Sequence, residues 1–191
     1  LKTFADLEKA IKGGAKLSYS SAGVGALQHL GVVVLLDQMG GDPGQLKHVP
    51  YKGGGKAGAA VVGGHVDIFF QNLSGVIGHV QGGKLRALAV STEERSPRIP
   101  DVPSFSELGY PDMSVILGWS GLWGPPNLPE DVVSKWVAIL GKLKNDEKWL
   151  AATEKLGSFP KILPPAETAA FVKKQHDVFE SVAERLGLTI K

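Results

Sequence analysis

Three short polar loops hold the residues whose types and spacing could do chemistry. Residues 20–25 read SSAGVG, residues 51–55 read YKGGG, and the dipeptide QN follows a third apolar stretch at 71–72. Each loop follows a strand pattern and precedes a helix pattern. The free N–H groups and the positive dipole end of a helix start favour an anion. The residues predicted to bind it are Ser20, Ser21, Ala22, Gly23, Gly25, Tyr51, Gly53, Gly54, Gln71 and Asn72.

The side chains of these loops favour a carboxylate as the anion. Serine, glutamine and asparagine are neutral hydrogen-bonding groups, and Lys52 brings the one full charge into the predicted set of loops, which contain no arginine. A mixture of this kind suits reversible capture. The alternative for each loop is that glycine and serine only satisfy turn geometry and cap helices. Three such loops at one edge of a sheet favour a binding site.

Other chemistries lack a complete motif. A dinucleotide fingerprint would need a third glycine at position 28, which is Gln28, and a phosphate loop would need serine or threonine after Lys56, where Ala57 stands. No G-x-S-x-G elbow occurs. The five histidines lack paired metal-ligand spacing, and the absence of cysteine excludes disulfides and thiolate ligands. The sequence therefore predicts neither catalysis nor a cofactor or metal.

The elements that must position the loops alternate along residues 1–116. Thr3 and Asp6 are spaced as a helix cap before the apolar positions Phe4, Leu7 and Ile11. Strand patterns follow at 17–20, 48–51, 66–70 and 85–90, and helix patterns at 26–39, 56–62 and 73–81. We expect an α/β lobe with a parallel sheet flanked by helices.

The pattern changes after residue 91, and a second region begins near residue 117. Prolines interrupt the chain between 97 and 111 and leave room for one short helix at 104–108. Residues 113–123 are expected to run as an extended strand. Helices are predicted at 129–144, 146–156 and 165–186. This second region has helices but almost no strands, so the sheet they cover is expected to come from residues outside this sequence. The chain alone should then expose apolar surface, so that its C-terminal region is either mobile or buried against a second chain, and it should bind ligand far more weakly than the complete protein.

Composition excludes several classes of protein. The 191 residues are 43% hydrophobic and 21% charged, with a net charge of +2, which is ordinary for a soluble globular domain. Neither a nucleic-acid partner nor direct insertion into a membrane is expected, because the charges form no blocks and no apolar run approaches about 20 residues.

A longer series of motifs resembles one family. The segments LSYSSAGVG, QHL, HVPYKGG, GHVDI, GKLRALAVS, RSP, PDVPSF and ELGY occur in this order between residues 17 and 110. In order and spacing they resemble the receptors of tripartite tricarboxylate transporters, also called Bug receptors.

The resemblance implies a type II periplasmic-binding-protein fold, in which two α/β lobes close on a small organic acid. It implies an extracytoplasmic, periplasmic receptor that serves the membrane subunits of a transporter and is monomeric at full length. The ligand would be a di- or tricarboxylate, an acidic amino acid or an aromatic acid. In this family residues 1–116 would form the second, ligand-gripping lobe, and 117–191 would belong to the first.

Two positions depart from the family pattern. Ala26 stands where a hydroxyl residue is frequent, and Gln71 where an acidic residue is common. Two other classes remain open on the residues alone. An enzyme acting on a phosphorylated or carboxylated metabolite would need an acid, base or nucleophile, which the loops do not supply. An interaction module would show no response to a small ligand.

Overall fold

The computed structural model describes residues 1–156, 158–185 and 187. A small parallel sheet and seven α-helices make up its regular structure within those residues. The strands are β1 (Ser18–Ser21), β2 (Lys47–Pro50) and β3 (Ile68–Phe69), and the helices are α1 (Phe4–Lys12), α2 (Leu27–Gln38), α3 (Gly54–Val62), α4 (Ile77–Gln81), α5 (Glu130–Leu143), α6 (Glu147–Lys155) and α7 (Pro165–Arg185), with 3₁₀ turns at Pro43–Gln45, Leu73–Gly75 and Pro111–Val115.

Helix α1 begins with the capping box that the sequence predicts. The Asp6 N–H donates to Thr3 Oγ1 at 3.1 Å, and the Thr3 N–H donates to Asp6 Oδ2 at 2.9 Å. Two N–H groups that no helical carbonyl can reach are thereby paired. The apolar face of α1 is buried. The predicted first helix is confirmed.

Removal of this cap should destabilise the protein. We expect Thr3→Ala to lower the free energy of unfolding by about 1 kcal/mol, because the Asp6 N–H loses its acceptor. Urea unfolding followed by circular dichroism measures the change. Thr3→Ser, which keeps the hydroxyl, is the matched control and should stay close to the parent. Equal unfolding midpoints for Thr3→Ala and the parent would contradict the assignment.

The sheet has the order β2-β1-β3, and both pairings are parallel. Ser18 pairs with Lys47 and Ser21 with Pro50, so the carboxyl ends of β1 and β2 are level. At the opposite edge, Asp67 Oδ2 accepts hydrogen bonds from the N–H and the hydroxyl of Ser18, at 2.8 and 2.7 Å. The predicted parallel α/β arrangement is therefore confirmed.

A fourth predicted strand, at residues 85–90, is wrong. Among the described residues this segment pairs only at its last residue, where Val90 forms an isolated parallel bridge with Ser104. The Val90 N–H donates to Pro103 O at 3.0 Å, and Val90 O accepts from the Phe105 N–H at 2.9 Å. An apolar pattern without a ladder partner does not make a strand.

Helix α2 runs through the centre of the core, as its nearly continuous apolar sequence predicts. Eight of its residues are buried. A Cβ added at Gly31 would lie 2.9 Å from the Phe70 ring and 3.0 Å from Ile116 Cγ2, so this position admits only glycine without a shift of its neighbours. The core joins α1, α2, β1 and residues 105–116.

The proline-rich segment after Val90 folds as turns. Arg95 clamps it through a bidentate ion pair with Glu107, with Nη2 to Oε2 at 2.7 Å. The helix predicted at 104–108 is a turn. The extended strand predicted at 113–123 is also wrong, because its first residues belong to the 3₁₀ turn Pro111–Val115 and the rest pairs with no strand in the described chain.

The three C-terminal helices occur where the sequence predicts them, but they pack differently from one another. No residue of α5 or α6 is buried. In contrast, Val178, Phe179 and Val182 of α7 pack against the core formed by the first 116 residues. The apolar face predicted for α7 therefore covers this core in part; Leu186, also assigned to that face, lies outside the described residues.

No helix in the described ranges combines the length and the apolar character that crossing a membrane requires.

Candidate functional site

The three predicted loops meet at the carboxyl edge of the sheet. The parallel register aligns Ser21 with Pro50 and Ser20 with Phe69. The first two loops are also joined directly, because the Tyr51 N–H donates to Ser21 O at 2.9 Å and the Gly53 N–H to Ala22 O at 3.2 Å. This edge is where open parallel sheets bind ligands.

The hydroxyls of Ser20 and Ser21 point inward. Both residues are fully buried. The Ser20 hydroxyl donates to Ala57 O at 3.1 Å, which ties β1 to α3. The Ser21 hydroxyl donates to Gly23 O at 2.9 Å, and its oxygen accepts from the Gly23 N–H at 3.2 Å. These hydroxyls shape the first loop, and direct contact with a ligand stays a prediction for them.

The backbone of the first loop offers the donors. Gly23 and Gly25 have φ values of 148° and 77°, which side-chain-bearing residues rarely adopt. Ala26 caps α2 without a side-chain hydrogen bond, as its missing hydroxyl predicts. The helical bonds start with the His29 and Leu30 N–H groups, which donate to Ala26 O at 2.9 and 3.0 Å. The earlier N–H groups of α2 therefore have no helical acceptor.

The second loop repeats this arrangement. Gly53 is the N-cap of α3 with a φ of 102° and no side-chain cap, so the first N–H groups of that helix are free of helical partners. Gly54 begins α3, and Tyr51 and Gly54 are only partly exposed. Two helix starts of nine residues or more thus border the same edge.

The third loop brings a fixed amide to the first two. Gln71 Oε1 accepts from Gln28 Nε2 at 3.0 Å and from the Asn72 N–H at 2.9 Å. A Cβ added at Gly54 would lie 2.8 Å from Gln71 Nε2. Gln71 therefore contacts the starts of both α2 and α3. The predicted helix at 73–81 divides here into the turn Leu73–Gly75 and the short helix α4.

Asn72 lies at the rim of the site and is exposed. Its amide fits against Gly118, where a methyl group would overlap it. Gly118 belongs to the segment that leads from the first 116 residues to α5. The contact places the third loop beside this connecting segment.

Two histidines contact the first loop and hold its shape. The sequence analysis did not identify them as site residues. The rings of His29 and His48 stack with centroids 4.3 Å apart, and Tyr19 stacks on His48 at 4.7 Å. His48 Nε2 lies 2.7 Å from Ser21 Oγ, and His29 Nδ1 accepts from the Gly25 N–H at 3.2 Å. The pair holds both ends of the first loop.

Burial keeps this pair neutral. Burial lowers the pKa of His29, and burial followed by the nearby His29 lowers the pKa of His48 to about 4. The hydrogen bond from the Gly25 N–H requires a lone pair on His29 Nδ1, which only a neutral ring in that tautomer provides. No pattern within a single element identifies the pair, because the stacking depends on the register that aligns Tyr19 with His48.

The three loops contain donors and positive charges without any acid. No aspartate or glutamate occurs in residues 20–28, 50–56 or 70–76, and Lys52 and Lys56 are exposed. The arrangement can bind an acceptor-rich anion. It aligns no nucleophile with a free base within the described loops.

A larger open space borders the third loop. Its volume is about 2420 Å³, and it extends from Gln71 and Asn72 along residues 114–125 to α5 and α7. This volume far exceeds that of a typical small-ligand pocket, about 300–1,000 Å³. Most of its lining is apolar, so we do not assign the anion to this space.

One group of potential metal ligands occurs among the described residues. His176, Asp177 and Glu180 on α7 have ligand atoms within 4.8 Å of one another. All three are exposed, and they belong to none of the three loops. Lys173 already pairs with Asp177 at 2.7 Å. The cluster is best described as a solvated ion-pair network.

Several known proteins resemble this chain in sequence and in fold. A protein from the ttuE-ttuC' intergenic region of Agrobacterium vitis is 30% identical over 190 residues, covering 99% of this chain and 53% of that protein. Among solved structures, one described as a periplasmic transporter is 33% identical, with a TM-score of 0.83, and the match covers 100% of this chain and 63% of that one. The chain thus spans about half the length of this curated relative.

A second solved structure carries a ligand. MatC from Rhodopseudomonas palustris, with bound malate, is 25% identical with a TM-score of 0.66, and the match covers 98% of this chain and 62% of MatC. These likenesses confirm the predicted periplasmic-binding-protein fold. The sequence profile of the tripartite tricarboxylate transporter family receptor matches residues 1–186. The chain belongs to the tripartite tricarboxylate transporter receptor family.

Proposed function

We propose that this chain is the ligand-gripping part of an extracytoplasmic solute receptor, which captures a small organic carboxylate in the periplasm for a tripartite transporter. One observation carries the proposal: two helix starts and the Gln71 amide converge at one sheet edge whose loops contain no acid. A carboxylate accepts several such N–H bonds at once. The receptor role requires no catalysis, cofactor or metal.

The first loop is the proposed carboxylate cradle. The N–H groups of Val24, Leu27 and Gln28 have no acceptor among the described residues, and they surround the positive end of α2. Ser20 and Ser21 contribute through the loop shape that their buried hydroxyls hold. Gln71 and Asn72 would orient the remainder of the ligand. Bound malate in MatC supports a small dicarboxylic acid as ligand class.

Residues 1–116 are proposed to form one lobe of the receptor, with 117–191 part of the other. The first region contains the sheet and all of the core except Val182 of α7, with Val178 and Phe179 packed against it. The second has helices without strands within its described residues. Gly118 beside Asn72 is consistent with a crossing point next to the ligand. Membrane subunits of the transporter are the proposed protein partners.

A titration by ¹⁵N NMR tests the proposal, since it detects even millimolar binding and locates it. Adding malate, succinate or citrate should shift the amide signals of Val24, Gly25, Leu27 and Gln28 saturably, and the acid should be recovered unchanged. Amides of α6 provide the internal control. Absence of any saturable shift would refute the receptor proposal, and conversion of the acid to a product would favour an enzyme.

Ser21→Ala and Asn72→Ala should weaken carboxylate binding by about tenfold or more while the fold survives, corresponding to about 1.5–3 kcal/mol per lost donor or loop anchor. In Ser21→Ala the Gly23 N–H and His48 lose their shared partner. Calorimetric or NMR titration with malate measures the change. Ser134→Ala, at an exposed position of α5, is the control. Parent-like affinity in both variants would show that the site lies elsewhere.

A further inference from the structure

Resting on the proposed function, we propose that Gln28 and Gln71, here called the amide pair, make this site select carboxylates without an ammonium group over amino acids. The amide pair would act as a specificity determinant at the meeting point of the three loops. Succinate and malate are then preferred over aspartate, which carries the same two carboxylates with an added ammonium.

The orientation of Gln71 follows from its hydrogen bonds. A backbone N–H can only donate, so the Gln71 atom 2.9 Å from the Asn72 nitrogen is the carbonyl oxygen. The same oxygen accepts from Gln28 Nε2 at 3.0 Å. Both of its lone pairs are therefore occupied. The other end of the amide, Gln71 Nε2, can therefore hydrogen-bond to an acceptor of a ligand but not to a donor.

The free end of the amide points at the starts of the helices. Gln71 Nε2 lies 2.8 Å from where a Gly54 Cβ would stand, and Gln28 Nε2 lies 3.7 Å from that point. Gln71 Nε2 has no acceptor among the described residues, so it presents two N–H donors beside the first residue of α3. Glycine at position 54 leaves the room for this approach.

The charged side chains and helix dipoles of the three loops would repel an ammonium. The three loops contain no acidic residue, while Lys52 and Lys56 add positive charge to the positive ends of α2 and α3. The Gln28 carbonyl is the remaining neutral acceptor of the amide pair, and one neutral acceptor does not compensate for the desolvation of a cation. A carboxylate at the same place can accept from the two N–H donors of Gln71 Nε2.

Gln71→Glu tests the inference with almost no change in shape. The new carboxylate can still accept from the Asn72 N–H and from Gln28, but an oxygen replaces the Nε2 donor and adds a negative charge. We expect succinate affinity to fall about tenfold or more at pH 7, and aspartate affinity to rise by a similar factor. Calorimetric or NMR titrations of both acids give the ratio. Gln81→Glu, an exposed position at the end of α4, adds the same charge outside the amide pair and should leave the ratio unchanged.

Each outcome has a distinct meaning. Equal binding of aspartate and succinate by the parent, or an unchanged ratio in a folded Gln71→Glu variant, would overturn the role of the amide pair and leave the receptor proposal standing. If the parent binds neither acid nor any other tested carboxylate, the receptor proposal itself fails. Gln28→Glu provides a second variant should Gln71→Glu fail to fold, because it also introduces a carboxylate at the pair and should shift the ratio in the same direction.

Discussion

Acidification from pH 7 to pH 4 is expected to lower the free energy of unfolding by about 2 kcal/mol through His48 alone. Burial and the adjacent His29 lower the pKa of His48 from 6.5 to about 4. A shift of this size corresponds to about 3 kcal/mol, and the partial exposure of the ring reduces our expectation. The unfolded state binds the proton first, so stability is complete above pH 6.5 and is lost as the pH falls towards 4.

Urea unfolding at a series of pH values between 4 and 7 tests this dependence. The ring of His48 faces Tyr19 and His29. Burial raises the pKa of Tyr19 to about 12, so Tyr19 keeps its proton throughout this range, and burial lowers the pKa of His29. His48→Gln keeps a donor for Ser21 and should flatten the profile, leaving the smaller contribution of His29. His79→Gln, at an exposed position, is the matched control and should keep the parent slope. An equally steep profile in His48→Gln would contradict the role given to His48.

The 191-residue chain should self-associate through the apolar surface of its C-terminal half. Trp136 is 48% exposed and Ile139 52% exposed on α5, while Trp123 in the connecting segment is 68% exposed. Exposed apolar surface of this kind marks contact sites, and burial of one large apolar side chain stabilises by about 1.5–3 kcal/mol. We expect the apparent mass in sedimentation or light scattering to increase with protein concentration.

The double substitution Trp136→Gln/Ile139→Gln should weaken this association by about tenfold or more. Lys135→Gln changes a neighbouring exposed position of α5 without removing apolar surface, and it should associate like the parent. Hydrogen exchange adds an independent measurement, because α5 has no buried residue in the chain by itself. A monomer at all concentrations with strongly protected α5 amides would contradict the prediction.

The sequence alone predicted those elements whose formation depends on residues close together in the chain. The Thr3 cap, the apolar face of α1 and the nearly continuous apolar run of α2 predicted their elements because each depends on neighbours within one helix. The parallel sheet followed from the alternation of such patterns. The positions of the three loops at one edge then followed from the topology, since parallel strands end on the same side.

The sequence alone did not predict the contacts between residues that lie far apart in the chain. Residues 85–90 have a strand pattern, but only Val90 finds a partner, and no local pattern reveals this. The stacking of His29 on His48 depends on the register of β1 and β2 and on the docking of α2. Gln28 entered the sequence analysis as a missing glycine and as part of the QHL motif, but not as a site residue, because its bond to Gln71 spans 43 positions. Ligand contacts of the loops stay predictions.

The side chain of Gln175 joins three parts of the chain at one point. Its Nε2 donates to Val115 O at 2.7 Å and to Leu117 O at 3.0 Å, and its Oε1 accepts from Trp119 Nε1 at 3.0 Å. Helix α7 is thereby fastened to the segment that includes Gly118, the neighbour of Asn72. A rotation of α7 must either break three hydrogen bonds or drag this segment along. Gln175 thus links the position of the last helix to the segment at the rim of the proposed anion site.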